Sequence, residues 1–180
     1  ATIKESVSTD TSTFIAGAAI GVLNQNGDAN LTITLEGTNT IAEVGNGICV
    51  LAHNESTGNA SLTIMGNGSL TASVSVNSGI LVQSNGGNAT LTIQNADVTA
   101  KNSSSSGDGV TVRAGSSSSA SLSVNGGSLT ATGGGTHGAG IRFLFGSSDS
   151  SSRTPSLTVS GNAMVKASSD TGGITSNSSP

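Results

Sequence analysis

The 180 residues predict an all-β chain folded as a right-handed parallel β-helix, a solenoid of about five coils with three strands per coil and a period of about 31 residues. Three observations lead there. A Leu-Thr-Ile-like triplet recurs as Leu31-Thr32-Ile33, Leu62-Thr63-Ile64, Leu91-Thr92-Ile93, Leu122-Ser123-Val124 and Leu157-Thr158-Val159, its leucines 31, 29, 31 and 35 residues apart. A second phrase, glycine followed by β-branched alternation, keeps the same beat in Gly47-Ile48-Cys49-Val50, Gly79-Ile80-Leu81-Val82, Gly109-Val110-Thr111-Val112, Gly140-Ile141-Arg142-Phe143 and Gly173-Ile174. No apolar pattern holds a helical period beyond one turn, and no helix start or stop signature occurs. A unit of this length cannot bury its apolar face alone, so neighbouring coils must stack. A sandwich or propeller would show hairpins with antiparallel partners at closer spacing.

Residues 1–17 do not match the repeat and are expected to cap the open edge of the first coil, since a bare edge invites further pairing. Residues 18–180 form one β-helix domain whose last coil is incomplete. In each coil the glycine-led run is the first strand. Period-two alternation points Ile48, Val50 and Ala52 inward and Cys49, Leu51 and His53 outward. Across coils this predicts an inward column of Ile20, Ile48, Ile80, Val110, Ile141 and Ile174. The Leu-Thr-Ile run is the second strand, with Leu31, Leu62, Leu91, Leu122 and Leu157 as its column. A third run reads Ile41-Ala42, Leu70-Thr71-Ala72, Val98-Thr99-Ala100, Leu129-Thr130-Ala131 and Val165-Lys166-Ala167. Gly66-Asn67-Gly68, Gly86-Gly87-Asn88, Asn125-Gly126-Gly127 and Gly161-Asn162 supply corners, because glycine and asparagine accept positive φ at little steric cost. The connector after the first strand varies most: Asn54–Ala60, Gly115–Ser119 and Gly146–Pro155. Its loops gather on one edge, where a site could be built.

Composition narrows the function. The 26 glycines would suggest disorder if they lacked a period, and here they have one. Charged residues make up 9% of the chain and the net charge is −4, so the clustered Lys and Arg of a nucleic-acid surface are missing. No apolar run has the length of a membrane span. A single cysteine, Cys49, excludes an internal disulfide and a zinc site built from several cysteines. A neutral surface of Ser, Thr and Asn is expected of an exported, cell-surface or extracellular protein.

Candidate chemistry is sparse. A polysaccharide lyase or hydrolase on this fold would need carboxylates on neighbouring coils of one face, for proton transfer or for calcium. The ten acidic residues fall at different positions of the repeat, so no catalytic residue is assigned. Asp108, in the corner Gly107-Asp108-Gly109, reads as a turn residue rather than a calcium ligand. His137 and Asp170 occupy equivalent corners one coil apart, and contact between them would be a possible His–Asp pair. The second strand presents a hydroxyl column, Thr32, Thr63, Thr92, Ser123 and Thr158, of the kind that ice-binding solenoids use. Its flanking column of Thr34, Met65, Gln94, Asn125 and Ser160 breaks the double row, which favours ordinary solvated β residues. Of seven Asn-x-Ser/Thr triplets, turn-forming asparagines account for most. The outward face of the first strand is an apolar stripe with two of the three arginines, and Leu51, Leu81, Gln83, Arg113, Arg142 and Leu144 are its candidate ligand-binding residues. Such a stripe marks an interface, unless the variable loops or the N-terminal segment fold over it. Cys49 lies on the stripe, its thiol either covered or free to react.

With the Leu-Thr-Ile, Gly-Ser-Leu-Thr-Ala and Gly-Ile-x-Val phrases in place, the chain from Ala18 to Ile174 resembles the carbohydrate-binding β-helix domains of clostridial and other gut-bacterial surface proteins. Those are non-catalytic relatives of the pectate-lyase-like fold. The resemblance implies binding of plant polysaccharide, with calcium as a cofactor of that family. No acidic constellation here matches residue by residue, so no cofactor and no metal site is carried over. Trp and Tyr, on which sugar rings commonly stack, are absent, and Phe143 and Phe145 read as inward. The expected function is therefore a non-enzymatic, exported surface module that binds polysaccharide or a cell-surface or host protein in adhesion. It makes no use of nucleic acid or membrane insertion. The alternatives are a spacer or stalk repeat of a larger adhesin, and a polysaccharide lyase or hydrolase.

Overall fold

Glycine-led, β-branched runs form the first strand of every coil: β2 (Ala18–Asn24), β5 (Asn46–Ala52), β8 (Ile80–Ser84), β10 (Val110–Ala114), β12 (Ile141–Phe145) and β15 (Ile174–Ser178). The computed structural model describes residues 2–7, 17–43, 45–54, 57–146, 153–170 and 172–178, and among them there is no helix. The six strands pair in parallel as one sheet. Their register stacks Ile20, Ile48, Ile80, Val110, Ile141 and Ile174 as the sequence predicts.

The second strands are β3 (Ala29–Glu36), β6 (Ala60–Gly66), the first half of β9 (Ala89–Asn102), the first half of β11 (Ala120–Thr132) and β13 (Ser156–Ser160). Leu31, Leu62, Leu91, Leu122 and Leu157 stand in register along them. The third strands are β4 (Thr38–Glu43), β7 (Ser69–Val74), the second halves of β9 and β11, and β14 (Met164–Ser168). The chain is thus a β-solenoid of about five coils with three parallel strands per coil, each strand bonded to its equivalent one repeat away. Its interior is filled by the inward columns, and Phe143 and Phe145 are buried as the alternation predicts. At one end β1 (Thr2–Val7) runs antiparallel along β3, with Thr2 opposite Glu36 and Val7 opposite Leu31. Residues 8–16 of the expected cap, and residues 55–56 and 147–152 of the variable connectors, lie outside the described residues.

One column departs from the sequence reading. The expected third run starts at Ile41, but the register places Ile41 beside Ala72 and puts Asn39 opposite Leu70. Asn39 is 2% exposed and holds the position that Leu70, Val98, Leu129 and Val165 fill in later coils. Its Nδ2 donates to the carbonyls of Ser69 at 3.1 Å and Glu36 at 3.3 Å, while its Oδ1 is buried without a hydrogen-bond partner among the described residues.

Corners follow from residue type. The bend inside β9 falls at Asn95, with φ of 55°, and the same bend in β11 falls at Gly126 and Gly127, with φ of 71° and 72°. Before the first strand, Gly47, Gly79, Gly109 and Gly140 stack where backbone meets backbone: a Cβ on Gly109 would lie 2.6 Å from the Thr132 nitrogen and 2.7 Å from the Gly140 oxygen. A third corner is tied from coil to coil by side chains. The Asn59 amide N–H donates to Asp28 Oδ1 at 2.7 Å, Asn88 N–H to Asn59 Oδ1 at 3.0 Å, and Ser119 N–H to Asn88 Oδ1 at 2.9 Å. Two of the Asn-x-Ser/Thr triplets, at Asn59 and Asn88, therefore belong to this ladder.

Candidate functional site

Parallel register on the first-strand sheet brings the six candidate residues onto one outer face. Leu81 and Arg142 belong to the column Cys49, Leu81, Thr111, Arg142, while Leu51, Gln83, Arg113 and Leu144 form the adjacent column two residues further along each strand. Neighbours within a column are about 4.8 Å apart and the columns about 7 Å apart. All six side chains are half-buried. Between them Cys49 and Thr111 are buried, at 2% and 4% exposure, outside the main interior cluster.

Among the described residues two clefts open on this face. The first, of about 490 Å³, is lined by Gln83, Ser84, Asn85, Arg113, Ala114, Ser116 and Gly146, where the strands pass into the variable connectors. Gln83 Nε2 donates to Asn85 Oδ1 at 2.8 Å, which orients both amides at its wall. Among the described residues Arg113 makes no hydrogen bond or ion pair, so its guanidinium is available to a ligand. The second cleft, of about 480 Å³, lies at the opposite ends of the same strands, and Asn46, Asn77, Ser78, Leu81, Ser106, Asp108 and Thr111 line it.

Arg142 is engaged within the chain. Its Nε reaches Asp108 Oδ1 at 2.9 Å and Oδ2 at 2.8 Å, and its Nη2 donates to the His137 carbonyl at 2.6 Å. Asp108 also accepts from the Ala139 amide and from Thr111 Oγ1, each at 2.8 Å, and Thr111 Oγ1 lies 2.8 Å from Ser78 Oγ. The corner aspartate is thus the centre of a network across three coils, and its charge is met by Arg142 within the chain. The equivalent corners His137 and Asp170 are not joined by any hydrogen bond or ion pair; His137 Nδ1 lies 2.9 Å from Thr136 Oγ1. Among the described residues no group of three or more His, Cys, Asp or Glu side chains is placed to hold a metal ion.

The hydroxyl column Thr32, Thr63, Thr92, Ser123 and Thr158 is in register. A second column, Thr40, Thr71, Thr99 and Thr130, runs along the third strands until Lys166 interrupts it, and the start of the third run at Ile41 left Thr40 out of it in the sequence.

Burial pushes the Cys49 thiol up from 9.0 to about 12. In the unfolded chain it ionises near 9, so folding stability should fall as pH rises from 9 towards 12. Below 9 both states keep the proton and the contribution is flat. Comparing denaturant midpoints of the chain and its Cys49→Ala variant across this range should show a shallower pH slope in the variant; parallel slopes would mean the thiol is exposed.

No protein-family model matches the chain, and searches of curated proteins and of solved structures find no significant match to it.

Proposed function

We propose that the chain is a non-enzymatic binding module of an exported surface protein and that it takes a carboxylate-bearing polysaccharide, such as one containing uronic acids, in the cleft at Arg113. The observation that carries this reading is the half-buried Arg113 guanidinium, without a partner among the described residues, on the wall of a polar cleft. A guanidinium meets a carboxylate with two parallel hydrogen bonds, and partial burial limits screening by solvent. Gln83, Asn85 and Ser116 beside it supply amide and hydroxyl groups suited to sugar hydroxyls. A strand-borne arginine is held by the sheet, so little ordering accompanies binding. The low charge and abundant Ser, Thr and Asn support an extracellular setting.

Titrating oligogalacturonate into the chain tests the reading by calorimetry. Arg113→Ala should weaken binding about 10- to 100-fold, the loss of a charge-assisted contact, and leave the melting temperature within about 2 °C. Equal affinity in the variant, or no binding by the parent chain, would overturn it. The spacer or stalk reading has its own support in the Asp28, Asn59, Asn88 and Ser119 ladder, which ties successive coils at one corner as a stiff rod would require. Failure to retain any acidic glycan or host surface protein would favour it.

A further inference from the structure

We infer that the two clefts are subsites of one extended site, and that an acidic oligosaccharide lies along the strands with a uronate at Arg113 and a less charged part of the chain over Asn77 and Ser106. This rests on the binding reading above and adds the ligand's length, path and direction.

Both clefts are built on the same neighbouring strands. Leu81 lines one and Gln83 the other on β8; Thr111 lines one and Arg113 the other on β10. The register places Leu81 beside Thr111 and Gln83 beside Arg113, so the walls of the two clefts are consecutive outward positions about 7 Å apart. From Asp108 to Ser116 the backbone advances at most about 27 Å, longer than a single sugar ring. Each cleft falls within the roughly 300–1,000 Å³ range of small-ligand sites. On the wall of the second cleft the half-buried Leu81 gives an apolar surface on which the C–H face of a sugar can rest.

Charge sets the direction. In the second cleft the Asp108 carboxylate is neutralised by Arg142 at 2.8 Å, and its remaining hydrogen-bonding capacity is taken up by Thr111 and the Ala139 amide. What it presents to a ligand is the exposed, neutral pair Asn77 and Ser106. The first cleft carries Arg113, a cation with no counter-charge among the described residues. An oligomer with a carboxylate on one ring and hydroxyls on the next is therefore bound in one orientation, its charge towards the variable connectors.

A uronic acid and oligomers of two to five residues in which a uronate alternates with a neutral sugar, titrated separately into the intact chain, test the inference. Affinity should rise about tenfold or more between the dimer and the tetramer as the second cleft fills. In the variant carrying Asn77→Ala and Ser106→Ala, affinity should be nearly flat with length. In Arg113→Ala, every length should bind more weakly. If affinity in the parent chain does not grow with length, or the growth survives in the double variant, the clefts are not one site, while a weakened Arg113→Ala variant still leaves the single-cleft reading standing. If no length binds the parent chain, both fall.

Discussion

Ile80→Asp should leave the chain without a cooperative melting transition. Ile80 is 0% exposed and stands in the inward column between Ile48 and Val110, so a carboxylate there meets only aliphatic carbon above and below. An unpaired charge in such a place costs about 5 kcal/mol or more once the lost apolar contact is included. That is comparable to the whole stability of many domains. The companion change Gln83→Asp, three residues on and outward, removes the hydrogen bond to Asn85 and should cost about 1 kcal/mol. Circular dichroism during heating distinguishes them, and equal damage at both positions would mean that the faces are assigned the wrong way round.

Gly109→Ala should be a strongly harmful single-methyl addition. The added carbon would sit 2.6 Å from the Thr132 nitrogen, 2.7 Å from the Gly140 oxygen and 2.9 Å from the Ala100 oxygen, all backbone atoms fixed by the ladder. Overpacking against immobile groups costs about 3 kcal/mol. Gly37 provides the contrast, with φ of +64° and open space around it. Alanine there incurs only the left-handed backbone penalty, about 1 kcal/mol. Denaturant midpoints should rank Gly109→Ala well below Gly37→Ala. The reverse order would show that backbone conformation, not close approach, selects glycine in this corner.

The first two columns were legible because each repeats one residue class at one beat, and a slip of one residue would have turned every aliphatic side chain to solvent. The third was misread in the first coil because Asn39 breaks the residue class at an inward position. The carbonyls of Glu36 and Ser69 that accept from its Nδ2 are placed by the fold and leave no local signal. The outer face was placed correctly by alternation, since strand parity alone fixes which side chains share a face. Pairing on it was not legible. Asp108 and Arg142 are 34 residues apart, and their contact depends on a corner residue leaning across one coil onto the next strand. Alternation assigned Cys49 a direction and could not assign it a depth: it points away from the interior and is nonetheless covered, at 2% exposure.

Among the described residues every parallel strand bonds to a strand roughly one repeat away and to none much farther. Each new coil therefore closes a loop of nearly constant length, and the chain entropy lost in adding it is the same wherever the growing edge stands. Two adjacent coils suffice to start folding, and the edge can advance from them towards either terminus. The time to fold is then governed by making that first pair rather than by the number of coils. Inserting further repeats of this kind lengthens the rod and adds stability in equal steps while leaving the folding barrier almost unchanged.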